Sequence, residues 1–276
     1  MQSDILNNLN LIAENLFKSV EGQVYELLDK IIIIRVEILN QEPLNNIFNN
    51  NNIIIIANSL IIFQTLYYMF QLILSLYNGN KTENVYIFII KIICVTVLAN
   101  NSYYICEQII SLIEYLTDAI SEITNQVSGK DVNFINLKET IISIDDFMKD
   151  DLLTVNGLIK GIISFGAVSV LINFSIRYVK IIFLIIISPL ALICFSSHIT
   201  NELGNTWIKM FISSLLLQII VKIILFIPLS YKDINSLMYK IILVGSIQLI
   251  YNINNISSQL FNKFSKSEMK PNLYKG

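Results

Sequence analysis

The chain has 276 residues, 54% of them hydrophobic and 14% charged, with a formal net charge of -2 and a mean hydropathy of +0.62. Water-soluble domains carry about 25% charged residues; the deficit suits lipid-facing surface, because a charge in the bilayer core costs a few kcal/mol or more. The near-neutral balance also excludes the basic stripe of a direct nucleic-acid binder.

In chain order, residues 1–52 carry apolar side chains at Leu6, Leu9, Ile12, Leu16, Val20, Val24, Leu27 and Ile31. Steps of three and four describe one helix face, and Ser3 or Asp4 is a suitable cap. Glu14, Lys18, Glu21 and Glu26 occupy the remaining circumference, so this amphipathic helix should pack on protein or lie on a membrane rather than span it. QEPLNNIFNNNN reads as a loop with Pro43 as breaker. The start lacks the basic and compact apolar regions of a signal peptide, so the membrane segments themselves are expected to direct insertion.

Residues 53–116 hold a first transmembrane pair. Ile53–Tyr77 has no ionised side chain and exceeds the roughly 20 residues needed to cross. Val85–Leu116 is longer than a bilayer is thick and reads as a span continuing into a stalk, with Glu107 and Glu114 on one face. Residues 117–157 form an acidic region, expected outside the cell as a small domain or two short helices. Its pairs Asp145-Asp146 and Asp150-Asp151 read as a solvated face rather than a cation site.

Residues 158–251 read as a C-terminal transmembrane bundle of three strong segments, Leu158–Ile176, Val179–Ser197 and Trp207–Leu229, and a weaker one, Ile234–Tyr251, which carries Lys240. Residues 252–276 form a basic tail with Lys263, Lys266, Lys270 and Lys275. Cytoplasmic loops are enriched in lysine and arginine. That rule places the acidic region outside, Arg177 and Lys180 inside, the SSHITNELGN loop outside and the tail inside, giving five complete crossings with the N-terminus out and the C-terminus in, and with the Lys240-bearing Ile234–Tyr251 as the irregular segment. Six crossings follow if every segment spans. The expected fold is an all-α polytopic helical membrane protein of about five to six transmembrane helices with an N-terminal amphipathic helix.

Little in the chain suggests catalysis. A single histidine, His198, excludes two-histidine metal sites, and no GxSxG, GxxxxGK[ST] or GxGxxG pattern occurs. His198 reads as a loop residue, and Cys94, Cys106 and Cys194 as buried, inert thiols. No cofactor is implied. The informative residues are polar groups inside apolar segments. Lys222 follows Gln218 by one helical turn, so both project from one face; a mid-span lysine should face protein or water, either lining a pore or pairing helices. Arg177 and Lys180 mark the cytoplasmic end of a span. Pro189 should kink its helix, and Trp207 should anchor the next span at the interface. Gly161, Ser164, Gly166 and Ala167 suit close helix packing.

The run RYVKIIFLIIISPLALICFSSHITNELGNTWIKMFISSLLLQIIVKIIL resembles the TrbL-like conjugal transfer proteins, polytopic membrane subunits of type IV secretion systems, including those of Gram-positive conjugative elements. The similarity lies in the order Arg177-Tyr178, then Ser188-Pro189-Leu190-Ala191, then a loop with Ser197 and Thr200, then Trp207-x-x-Met210-Phe211. VYIFIIKIICVTVLANNSYYICEQII is similar to an earlier span of the family. The tail is shorter than the extended C-terminal region of many members. The resemblance implies a non-enzymatic channel or scaffold subunit of a bacterial cell membrane. It would work as a homo-oligomer in the lipid bilayer, with cytoplasmic ATPases, a coupling protein and other secretion subunits, meeting DNA-protein cargo only transiently. The alternative is a small-solute transporter or another membrane-embedded accessory protein; against a transporter, the chain shows no convincing internal repeat.

Overall fold

The computed structural model describes residues 23–49, 52–78, 84–143, 155–197 and 200–253, and all regular structure among them is helical. Residues 23–32 form α1. A 3-10 turn, Val36–Asn40, leads into α2, Glu42–Asn49. Then follow α3, Asn52–Asn78, α4, Val85–Asn100, α5, Ser102–Ser128, and α6, Phe134–Ile142. The last four are α7, Val155–Ile186, α8, Ser188–Ile193, α9, Asn201–Leu229, and α10, Leu237–Tyr251. The expected loop around Pro43 is therefore partly helical. Pro43 falls in the first turn of α2, where its missing amide has no helical partner to lose.

Among the described residues, three helical stretches are long and apolar enough to cross a membrane: Asn52–Asn78, Gly161–Ile186 and Asn201–Leu229. A fourth is added if α4 and α5, bent by 66° at their junction, count as one span. α3 exposes Ile62, Phe63, Phe70 and Ile73, and α4 exposes Ile90 and Val97. Apolar surface on that scale requires lipid or protein cover, and with the long apolar helices it marks a membrane protein.

The helices differ from the sequence reading in three places. First, Leu158–Ile176 and the first eight residues of Val179–Ser197 form one helix and not two. α7 runs unbroken through Arg177 and Lys180 to Ile186, which keeps its backbone groups paired where lipid offers no partner. Arg177 is thus a mid-helix residue and not part of a loop. Second, the chain breaks at Ile187, whose φ of -84° and ψ of 0° leave the helical region, and Pro189 sits in the first turn of α8. Proline here starts a helix, because it cannot offer an amide to the carbonyl of Ile185. Third, Val85–Leu116 is interrupted at Asn101. Its side-chain amide donates to Val97 O at 2.8 Å, and Asn100 Nδ2 donates to Thr96 O at 2.9 Å. Such side-chain bonds to the backbone compete with the helical ladder and favour bends. α5 then ends at Gly129, whose φ of 70° is the left-handed conformation that glycine adopts without a Cβ clash.

The described chain divides into two compact units. One comprises residues 1–34, 113–178 and 216–276; the other comprises 35–112 and 179–215. In the first, α1, α6, α7, α9 and α10 share a core that includes Leu28, Leu137, Phe174, Val221, Leu225 and Leu243. α7 and α10 approach closely: a Cβ on Gly166 would lie 2.6 Å from Ile247 Cγ2. Asn173 Nδ2 donates to Tyr251 O at 3.2 Å. In the second unit, α3, α4 and α8 meet through Ala57, Ile61, Val95, Ala99 and Ile193. Asn58 and Asn100 exchange side-chain amide hydrogen bonds at 3.2 and 3.4 Å, polar glue of the kind that joins helices in lipid.

Candidate functional site

The polar residues of the first unit converge on the end of α1. This helix turns Tyr25, Leu28 and Ile32 into the core while Leu27 stays 43% exposed. The buried face is therefore rotated by one residue from the predicted set Val24, Leu27 and Ile31, of which Val24 and Ile31 pack at its margin. That rotation carries Asp29 inward. Asp29 Oδ1 accepts from Phe134 N at 2.8 Å and Oδ2 from Ile135 N at 3.0 Å. These are the first two amides of α6, which have no partner within their own helix. The next amide, Asn136 N, is capped by Asn133 Oδ1 at 2.7 Å. A residue more than a hundred positions away thus completes the N-terminus of α6, and its negative charge suits the positive end of the helix dipole.

At the same C-terminal end, α1 leaves the carbonyl of Ile32 without a helical donor. Arg177 Nη1 supplies one at 2.9 Å, and the guanidinium also lies 5.3 Å from the centre of the Phe174 ring. Arg177 is 3% exposed. A cation at a helix C-terminus is favoured by the dipole, and the aromatic face adds a cation–π contribution.

Gln218 and Lys222 complete the arrangement from α9. The Gln218 side chain accepts from Ile34 N at 2.9 Å and donates to Thr117 Oγ1 at 3.0 Å; Thr117 in turn donates to Ile113 O at 2.7 Å. One amide therefore joins the segment after α1, α9 and α5 in a satisfied chain of donors and acceptors. Lys222 Nζ donates to Val132 O at 2.5 Å, just ahead of α6. Burial pushes the Asp29 carboxyl above its ordinary range, and the two backbone amides and Lys222 act in the opposite direction.

Of the five residues singled out from sequence, Arg177, Gln218 and Lys222 all bond within the first unit. All three spend hydrogen bonds on the chain's own backbone or side chains. That is the work of pairing helices, one of the two roles open to Lys222. Pro189 and Trp207 belong to the other unit. Trp207 is 5% exposed and donates its indole N–H to Leu184 O at 2.9 Å while stacking on Phe211. It is packed in protein. Cys94 is exposed, against the expectation of a buried thiol, whereas Cys106 is buried. His198 and the acid pairs 145–146 and 150–151 lie outside the described residues. Among those that are described, no cluster of three or more His, Cys, Asp or Glu could hold a metal ion.

Sequence reasoning missed Asp29 and Thr117. Asp29 follows Leu28 and precedes Ile32 by three residues, so a helix phased on Tyr25, Leu28 and Ile32 would have shown it at the edge of the apolar face. Nothing local marks Thr117, because its partner is a hundred residues away. Set against known protein families and against curated protein sequences, the chain matches none of them.

Proposed function

We propose that the chain is a non-enzymatic, membrane-embedded scaffold subunit of a type IV secretion system, acting with ATPase, coupling-protein and other envelope subunits to export DNA-protein substrate. The observation that carries the scaffold reading is the use made of its polar residues. Arg177, Gln218 and Lys222 hold Ile32, Ile34, Thr117 and Val132, which supports a subunit whose intramembrane polar groups position its own helices. The secretion context rests on the ordered resemblance between Arg177 and Leu225.

In this reading α3, the α4–α5 pair, α7, α9 and α10 make five crossings. α10, with 15 residues, rises only about 22 Å and crosses where the bilayer is thin or neighbouring subunits complete it. The N-terminus then lies outside the bacterial cell, as does the acidic region after Thr117, and the basic tail lies inside, in keeping with the positive-inside rule. The segment that contains α8 becomes cytoplasmic. Deleting the gene from its element and scoring transfer to recipient cells is the test. Transfer should fall to background and return on complementation; undiminished transfer would end this reading.

A further inference from the structure

Four hydrogen bonds that close the first unit share one stretch of chain. Within residues 29–34, the Asp29 carboxylate takes two amides of α6, the Ile32 carbonyl takes Arg177, and the Ile34 amide takes Gln218. Lys222, which holds Val132 beside the start of α6, completes the set. α6 depends on α1 in a way that α7, α9 and α10 do not. Its first two amides are bonded to Asp29 and nowhere else in the described chain. By contrast, α7 and α10 grip each other directly, through the Gly166–Ile247 approach and the Asn173–Tyr251 bond.

We propose that residues 29–34 are a latch: α1 and α6 release together, as one cooperative segment, from a core of α7, α9 and α10 that stays folded. The reasoning is mechanical. Withdrawing Asp29 uncaps α6, and a nine-residue helix is too short to persist without tertiary support. Withdrawing Ile32 and Ile34 takes one buried hydrogen-bond partner each from Arg177 and Gln218, a loss that is costly in a buried setting. No intermediate with only one of the two helices docked is favourable, so release is all-or-none for the pair. α1 and α6 also bury Tyr25, Leu28, Ile32, Phe134, Leu137 and Ile141 in the shared core, so the pair gives up apolar and polar contacts together; cooperative segments that open below the global unfolding threshold serve as order–disorder switches. The seat that opens belongs to the core that includes Leu217, Val221 and Phe174, with Gln218 and Arg177 as the polar groups that hold residues 32 and 34. It is the chain's own helix-binding seat, with α1 as the resident helix.

This inference does not rest on the secretion reading. Hydrogen–deuterium exchange on the full-length protein in lipid nanodiscs tests it, comparing wild type with Asp29→Ala and, as a shape-preserving variant, Asp29→Asn. Both substitutions lie in α1. Exchange should rise about tenfold or more in residues 23–34 and in α6 together, less steeply for Asn than for Ala, while peptides from α7 and α10 keep wild-type protection. Deprotection confined to α1 with α6 unchanged would overturn the latch, as would an equal rise across α7 and α10. If Asp29→Ala fails to accumulate, Asp29→Asn and native-state exchange of the wild type in rising denaturant decide the matter. In the wild type, α1 and α6 must open at one common free energy below that of α7; separate openings refute the proposal.

Discussion

Gln218 carries two roles in one side chain, since its oxygen serves Ile34 and its nitrogen serves Thr117. Replacing it by leucine preserves volume and removes both, leaving the Ile34 amide unsatisfied at about 1–3 kcal/mol while Thr117 keeps its bond to Ile113 O. Gln218→Leu should therefore lower the thermal midpoint in detergent by several degrees. A variant as stable as wild type would show that the network is dispensable. Asp29 gives a pH signature. Its carboxyl is raised above 3.8, first by burial, so the folded state binds the proton more tightly than the unfolded one. The stability this adds is complete below the unfolded value and is lost as pH rises through the folded one. The thermal midpoint of wild type relative to Asp29→Asn should accordingly be highest at the acid end and decline as pH rises through that window; a difference that grows with pH would reverse the sign. At this scale, the shared face of Gln218 and Lys222 was legible from their four-residue spacing. Their partners were not, because Ile34, Thr117 and Val132 contribute groups that no local pattern distinguishes.

Among the helices, glycines at α7 and α10 make a contrast that packing alone decides. A Cβ at Gly166 meets Ile247 at 2.6 Å, whereas one at Gly245 meets nothing within 4 Å. Alanine in an unobstructed helix interior gains about 0.5–1 kcal/mol over glycine, so Gly245→Ala should raise the thermal midpoint. Gly166→Ala should lower it, because Ile247 is branched and buried and must shift. Equal responses would mean that α7 and α10 are not in close contact. The small residues of GIISFGAV were readable as a packing stripe. Element boundaries were less readable. Arg177 and Lys180 look like a loop between spans, yet a helix accepts Arg177 once Ile32 and Phe174 meet it. Val85–Leu116 read as a span running on into a stalk, yet Asn100 and Asn101 mark a 66° bend where their side chains bond to the preceding turn.

For the whole molecule, hydrophobic composition and the long apolar runs of α3 and α9 were sufficient to recognise an all-helical membrane protein. The crossing count was harder, since it turns on whether residues 158–197 make one helix or two. In the proposed topology one long α7 makes a single crossing, which would put the segment around α8 on the cytoplasmic side. Single cysteines introduced at Lys130 and Lys232 should react with a membrane-impermeant maleimide in intact cells, while one at Lys266 should react only after lysis. These tests use a version in which Cys94, Cys106 and Cys194 are replaced by serine. The opposite pattern would invert the topology. The central claim is that Arg177, Gln218 and Lys222 act by holding the subunit together and not by conducting substrate. Its most direct test compares membrane abundance with transfer frequency for Arg177→Ala, Gln218→Leu and Lys222→Met in a deletion background. Transfer should fall in proportion to the amount of folded subunit; wild-type abundance with abolished transfer would contradict the account.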